Sequence, residues 1–92
     1  MGRSKEKEKI DEFFDLDKSN KNALVLYNDD HHYFEFVINT LMKVCEHTEI
    51  QAEQCALIVH YKGKCDVKQG QYTQLKPLHE ALVDYGLIAA IE

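Results

Sequence analysis

The sequence predicts an α+β fold, a two-layer sandwich in which three helices pack on a small three-stranded sheet in the order βααβαβ. Its 92 residues, of which 45% are apolar, fit one domain with a modest core. Three segments carry apolar residues at helical spacing, and three short runs rich in strand-forming residues alternate with them. Because each apolar face must be buried against another, we expect the helices to cover one face of an antiparallel or mixed sheet.

The N-terminal segment differs in composition from the rest. Residues 1–21 alternate Lys and Glu and then become rich in turn-favouring polar residues, so we predict a flexible extension there and a folded core over residues 22–92. Residues 10–16 (IDEFFDL) are the exception, since Ile10, Phe13 and Phe14 would share one face of a docked helix. The alternative is a solubilised tail with a few hydrophobic residues.

The first half of the core reads as a strand followed by two helices. Residues 23–27 (ALVLY) form an apolar run bounded by polar turn residues, which is typical of a buried strand. A helix over about residues 33–46 follows, with His32 at its N-cap position or Asp30 as the alternative cap. Thr48 and Gln51 form a capping box that starts the next helix, which runs to His60 or Tyr61 and stops at Gly63. Its inward face comprises Ala52, Cys55, Ala56 and Val59.

The second half reads as strand, helix and strand. Residues 65–67 predict a short strand with Gly70 in the turn that follows it. Apolar residues at helical spacing then predict a third helix that has Pro77 in its first turn and ends at Gly86. Residues 87–91 (LIAAI) close the sheet.

Charge and cysteine content exclude several classes of function. The formal charge of −5 lies entirely in residues 23–92, which disfavours binding to nucleic acid or to an anionic membrane surface. The sequence has neither a long apolar stretch nor a secretory signal, so we expect a cytoplasmic protein. Cys45, Cys55 and Cys65 form no disulfide pattern, and we expect reduced thiols.

Residues 27–36 (YNDDHHYFEF) hold the densest group of polar side chains. His31 and His32 are adjacent and point apart, and no other histidine or cysteine lies at a zinc-ligand spacing, so we predict no metal and no cofactor. No serine or threonine lies on a strained elbow, and the cysteines belong to core faces. We therefore expect no catalytic residues and no enzyme activity.

The same group offers hydrogen-bond acceptors beside an apolar surface. Asn28, Asp29, Asp30 and a neutral His60 supply oxygen and nitrogen lone pairs, which suit a cation with several N–H donors. If the first two helices lie side by side, Phe34 and Val37 of one face Ala56, Val59 and His60 of the other. The sequence thus predicts a small apolar hollow with acceptors at its rim.

Two motifs resemble those of the ClpS adaptor family. LYNDDHHYFEFV is similar to the family pattern (V/L)-x-N-D-D-x-T-P-M-E-F-V, and VHYKGK is similar to V-H-x-x-G-K, in the same order and about 20 residues apart. The resemblance covers residues 23–92. It implies an adaptor of the N-end rule: a protein that binds N-degron substrates with a bulky hydrophobic first residue and passes them to a Clp AAA+ unfoldase and its peptidase.

The resemblance also assigns roles to individual residues. It implies that Asn28, Asp29 and His60 bind the substrate's free α-amino group, that Asp30 and His32 support the loop, and that a hydrophobic pocket takes the first side chain. The pocket residues are Phe34, Val37, Ala56 and Val59. This chain has His32 and Tyr33 where the family has Thr-Pro, and Phe34 and Ala56 where it has methionines. These changes either reshape the pocket or repack it at constant volume.

The partners that the resemblance implies are N-degron peptides or proteins and the N-terminal domain of a ClpA-like or ClpC-like unfoldase, and we expect a monomer. The extension would help delivery or be a passive tail. The main alternative is an interaction module that binds internal peptide segments without reading a chain start. A ribosomal stalk domain shares the predicted order of elements, but it gives no reason for the acceptor group.

Overall fold

The computed structural model describes residues 21–92, which form three helices and three strands. The order along the chain is β1 (Lys21–Tyr27), α1 (Phe34–Cys45), α2 (Glu49–Lys62), β2 (Lys64–Gln71), α3 (Tyr72–Asp84) and β3 (Ile88–Ile91). This is the predicted βααβαβ order. The first strand begins at Lys21, and the prediction of a flexible extension lies otherwise outside the described residues.

The three strands form one antiparallel sheet with β1 in the middle, in the order β2-β1-β3. Strand β1 pairs along its whole length with β2, with an irregularity between Leu24 and Val25. Its pairing with β3 is extended by two main-chain hydrogen bonds of 2.8 Å between Ala23 and Glu92. Because β1 is hydrogen-bonded to a strand on each side, the start of the loop after Tyr27 is held in place.

The core lies between the sheet and the helices, as predicted for a two-layer α+β sandwich. Its largest fully buried side chains come from β1, α1 and α3 and are Leu24, Leu26, Leu41, Leu75, Leu82 and Cys45. Ala52 and Val59 add the inward face of α2, and Val67 adds that of β2. All three helices therefore contribute to one core. In the described residues, no helix has the length and apolar content needed to cross a bilayer.

The start of α1 differs from the prediction. Its N-cap is Tyr33, which makes no side-chain capping bond, and neither His32 nor Asp30 occupies that position. The reason is the preceding loop: the carboxylate of Asp29 accepts hydrogen bonds from the amides of His31 and His32, which holds these residues outside the helix. The first helical hydrogen bond then runs from the Val37 amide to the Tyr33 carbonyl.

The start and end of α2 are as predicted. Thr48 accepts a hydrogen bond from the Gln51 amide, and the Gln51 side chain accepts one from the Thr48 amide, which completes the capping box. Gly63 ends the helix in the left-handed region, with φ of 96°, and donates to the Val59 carbonyl. Glycine adopts this conformation without steric cost.

Two predictions in the second half are wrong. Gly70 lies within β2, paired with Asn22, because the strand extends to Gln71. Helix α3 then begins directly at Tyr72, where the Gln71 amide donates to the Gln74 side chain at 3.0 Å. Because the helix starts earlier than its apolar spacing indicates, Pro77 lies in the second turn and removes one internal hydrogen bond.

Candidate functional site

The β1–β2 pairing and one further main-chain hydrogen bond bring the two sequence motifs together. The Asn28 amide, directly after β1, donates to the Gly63 carbonyl at the end of α2, at 2.9 Å. Gly63 is three residues beyond His60, so this contact places the asparagine and aspartates of the loop beside the last turn of α2. Helices α1 and α2 form a hairpin, and the start of α1 therefore lies near the end of α2.

A cavity of about 590 Å³ opens at this place. Its apolar walls come from the start of α1 and the second half of α2, and its floor includes Leu26 of β1 and Leu87 before β3. The wall residues are Phe34, Val37, Ala56, Leu57 and Val59. A cavity of this size holds a small ligand or one large side chain with its neighbouring main-chain atoms.

The polar part of the lining comes from the end of β1, the loop that follows it and the end of α2. It consists of Asn28, Asp29, Asp30, His32 and His60, together with the hydroxyl-bearing rings of Tyr27, Tyr33 and Tyr61. Asn28, Asp30 and His60 are exposed to solvent, so their acceptor atoms are accessible to a ligand. The ring of His60 packs edge-on against Tyr61, with 4.8 Å between the ring centroids.

Asp29 is the most deeply placed of the polar residues, with 8% of its side chain exposed. Its Oδ1 accepts from the amides of His31 and His32 at 2.8 and 3.0 Å, and its two oxygens lie 3.0 and 3.1 Å from the Nδ1 of His32. Partial burial raises the pKa of Asp29, but the hydrogen bonds from His31 and His32 outweigh it, so this pKa lies below its ordinary value. The carboxylate is ionised at neutral pH and shapes the loop.

The hydrogen bond to Asp29 determines which nitrogen of the His32 ring carries a proton. An ionised carboxylate only accepts, so Nδ1 must carry the proton and a neutral ring has its lone pair on Nε2. The ring stacks on Phe36 at 4.9 Å between centroids, and Phe36 in turn contacts the edge of Tyr85. A Cβ atom at Gly86 would lie 3.1 Å from Nε2, and the φ of 92° there favours glycine independently. The loop is thus fixed against the end of α3.

Substitution of Asp29 by asparagine is expected to lower stability in a pH-dependent way. Because the pKa of Asp29 is lower in the folded state than in the unfolded chain, its contribution is complete above the unfolded value of about 3.9 and is lost as the pH falls through the folded value. The difference in the free energy of unfolding between the two proteins should therefore persist above about pH 4 and shrink as the pH falls below it. Urea unfolding at each pH measures it.

Asp30→Asn removes the same charge one residue away and serves as the control for net charge. A difference for Asp29→Asn that persists undiminished to about pH 3 would show that the ionised carboxylate is not the group that stabilises the loop.

All nine site residues predicted from the sequence line this one cavity. The structure brings together Asn28, Asp29, Asp30, His32, Phe34, Val37, Ala56, Val59 and His60. Sequence reasoning missed Leu26, Tyr27, Tyr33, Leu57, Tyr61 and Leu87. For Leu57 and Tyr61 a signal existed, since both are next to predicted lining residues on α2. Leu87 is brought in only by the fold of the C-terminal segment.

The thiols and the remaining histidines of residues 21–92 do not line this cavity. Within residues 21–92, no three His, Cys, Asp or Glu side chains are grouped so that they could hold a metal ion. All three cysteines are free, and burial raises the pKa of the Cys45 thiol to about 11. Desolvation and the neighbouring Cys55 raise that of Cys65 to about 12. Thiols with such pKa values are weak nucleophiles at neutral pH.

The fold and the cavity define a small α+β domain, with a cavity between two helices that is lined by apolar side chains and by hydrogen-bond acceptors. The sequence model of the family "ATP-dependent Clp protease adaptor protein ClpS" matches residues 17–89. The chain belongs to the ClpS family.

Individual relatives agree with this assignment. Two proteins named ATP-dependent Clp protease adapter protein ClpS, from Sodalis glossinidius (strain morsitans) and Serratia proteamaculans (strain 568), are 36% and 38% identical over 58 residues. The match covers 61% of this chain and 55% of each relative, so it spans about half of their length. Agrobacterium tumefaciens ClpS2, solved bound to L-phenylalaninamide, has the same fold with a TM-score of 0.68 at 23% identity, over 79% of this chain and 95% of that one.

Proposed function

We propose that this protein is a non-catalytic adaptor that binds the free N-terminus of substrates with a bulky hydrophobic first residue and delivers them to a Clp protease. The observation that carries the proposal is the cavity itself, because apolar side chains and exposed hydrogen-bond acceptors line the same space. The solved ClpS2 holds L-phenylalaninamide, a compound with one free amine and one benzyl group. A chain start with a large first side chain has the same two parts.

The acceptors account for the amine. A protonated α-amino group has three N–H donors, and Asn28 and His60, which line the same cavity, offer an amide oxygen and a ring nitrogen. Asp29 adds a negative charge that is held ionised by the loop. Its role is to stabilise the ammonium electrostatically and to fix the position of Asn28, while Asp30 and His32 support the loop.

The apolar walls account for the side chain. Phe34, Val37, Ala56 and Val59 surround a space that is large enough for leucine or an aromatic ring. Ala56 is small and almost completely buried, so the α2 wall leaves room, whereas the ring of Phe34 adds bulk on the α1 side. We expect Leu, Phe, Tyr and Trp to fit.

The expected interaction free energies are sufficient for a specific complex. Burial of a leucine or phenylalanine side chain contributes about 1.5–3 kcal/mol, and each hydrogen bond from an ammonium contributes about 1.5–3 kcal/mol. After the cost of association, a dissociation constant on the order of micromolar is expected. Such a value suits an adaptor that must release its cargo.

The delivery step rests on the family. The relatives from Sodalis and Serratia are named adapters of the ATP-dependent Clp protease, which supports a Clp AAA+ unfoldase as the macromolecular partner. We propose that the N-terminal domain of this unfoldase, which is ClpA-like or ClpC-like, binds this chain. We also propose that this chain is a monomer and that it acts in the cytoplasm. Residues 1–20, which precede β1 in the sequence, are proposed to help delivery to the unfoldase.

Peptide binding tests the proposal directly. Fluorescence anisotropy with matched peptides that begin with free leucine, acetylated leucine and free lysine should show micromolar binding for the first alone. Acetylation removes the charge and two of the donors but leaves the leucine side chain, so the affinity should fall by at least tenfold. Equal binding of free and acetylated leucine would instead identify a module for internal peptide segments.

A further inference from the structure

Helix α2 carries a second group of apolar side chains, which are exposed to solvent. Ile50 is 68% exposed, Leu57 and Ile58 are 41% exposed each, and Tyr61 is 77% exposed. With about 3.6 residues per turn, these four positions lie on one side of the helix and extend about 16 Å along it. We call these four residues the outer stripe. Leu57 and Tyr61 also line the cavity, so the outer stripe leads into the cavity.

The outer stripe has the character of a binding surface. The core already buries the inward face of α2 through Ala52, Ala56 and Val59, so the outer stripe is not needed for the packing of the domain. Single apolar residues scattered over a surface are normal, whereas a contiguous exposed group beside a cavity is typical of an interaction site.

The sequence of residues 10–16 (IDEFFDL) supplies an apolar surface that matches the outer stripe. This segment lies outside the described residues. Ile10, Phe13 and Phe14 have the spacing i, i+3 and i+4, which places them on one side of a helix, and the acidic residues of the segment fall on the other side. Amphipathic segments with such a spacing bind apolar surfaces through these side chains.

The chain connection allows this segment to reach α2. Lys21 lies at the end of β1 that is remote from the contact between Asn28 and Gly63, and Ile50 lies at the end of α2 that is remote from it. Phe14 precedes Lys21 by seven residues, so the connection spans at most about 25 Å, which is about twice the diameter of a helix. A segment that meets the outer stripe near Ile50 and continues along α2 brings the residues before it to the cavity.

Charge favours this arrangement. Residues 1–9 carry four basic and two acidic side chains. Asp29 and Asp30 line the cavity, and no lysine or arginine of residues 21–92 lines it. The negative potential of the cavity therefore attracts the basic residues that precede the apolar segment.

We propose that residues 10–16 bind the outer stripe in the free protein and that residues 1–9 then lie at the cavity, where they compete with the substrate. The docking stands by itself, whereas the competition rests on the proposed recognition of a free N-terminus. Burial of the apolar side chains is opposed by the ordering of the segment, and the two contributions are of similar size, so the docking is reversible. A bound substrate thereby releases residues 1–16 for contact with the unfoldase.

The docking is tested with a fluorescent residue in the full chain. The sequence contains no tryptophan, so Phe14→Trp introduces a single indole. We expect this indole to emit at a shorter wavelength, and to be quenched less by acrylamide, than in a protein that also carries Ile50→Ser and Ile58→Ser. These two stripe residues are exposed and lie outside the cavity lining. Equal emission and quenching in the two proteins would overturn the docking.

Val83→Ser is the matched control in the Phe14→Trp background. Val83 is an exposed branched residue on α3, away from the outer stripe, and its substitution should leave the emission unchanged. A change of the same size as that caused by the stripe substitutions would also overturn the docking.

The competition is tested with a peptide that begins with free leucine. Its addition should shift the emission of the Phe14→Trp protein to that of the protein with the stripe substitutions. The peptide should also bind Phe13→Ser/Phe14→Ser about two- to fivefold more tightly than the wild type, because the competing docked state is removed. Phe13→Leu/Phe14→Leu keeps the apolar contacts and should bind like the wild type.

The two readouts separate the possible failures. Absence of peptide binding to every variant would contradict the proposed function, while the emission without peptide still decides on the docking. A peptide that binds but leaves the emission unchanged, or that binds Phe13→Ser/Phe14→Ser no more tightly than the wild type, would overturn the competition alone.

Discussion

Replacing His60 by alanine is expected to weaken the binding of a peptide with a free N-terminal leucine by about tenfold. His60 lines the same cavity as Asn28, and we propose that its ring nitrogen is the acceptor on the α2 side. A hydrogen bond from a charged donor contributes about 1.5–3 kcal/mol, and the lower end applies because His60 is exposed to solvent. Titration calorimetry or anisotropy with the wild type and the variant measures the change.

His31→Ala is the matched control for this experiment. His31 is exposed, lies in the same loop and does not line the cavity. Its contact with Asp29 uses the main-chain amide, which the substitution keeps. The control should bind like the wild type. A second comparison separates the contact of His60 with the charged α-amino group from its contact with the leucine side chain. For the acetylated peptide, the affinities of the wild type and His60→Ala should differ little. An equal loss for both peptides would place His60 in the apolar contact.

Replacing Leu82 by alanine is expected to cost about 2–5 kcal/mol of the free energy of unfolding. The Leu82 side chain is 0% exposed and is among the largest fully buried side chains of the core. Its removal leaves a cavity between α3 and the sheet, and the loss adds to the lost burial of apolar surface. Against a total stability of about 5–15 kcal/mol, this is a large fraction. Urea unfolding followed by circular dichroism measures it.

The neighbouring residue supplies the control. Val83 follows directly in α3 and is 47% exposed, so Val83→Ala should change the free energy of unfolding by about 0.5 kcal/mol or less. Similar losses for the two variants would mean that α3 is oriented differently on the sheet.

Local sequence signals predicted those features that local interactions determine. The capping box at Thr48 and Gln51 and the glycine terminator at Gly63 need only residues that are close in the chain, and both were predicted correctly. The apolar spacing of the helices gave the inward faces, and with them the pocket residues of α1 and α2. The pairing of two motifs about 20 residues apart came from the family resemblance.

The features that were not predicted depend on contacts that the spacing of apolar residues does not reveal. The predicted start of α1 was wrong because the Asp29 carboxylate accepts hydrogen bonds from two loop amides. These hydrogen bonds hold the loop in a conformation in which neither His32 nor Asp30 caps the helix. Helix α3 begins with a hydrogen bond from the Gln71 amide to the Gln74 side chain. Glutamine is a weak sequence signal for a helix start. Leu26 and Leu87 reach the cavity floor through the sheet, so no pattern within one segment reveals them.

The bond between the Asn28 amide and the Gly63 carbonyl uses only main-chain atoms. The loop after β1 and the end of α2 are therefore joined independently of the side chains that we propose bind the substrate. Any residue other than proline can supply the donor at position 28, and the loop and the helix end would keep their relative position. Combinatorial libraries at the exposed wall positions Phe34 and Leu57, which lie outside the buried core, could therefore be screened for reagents that distinguish one peptide terminus from another.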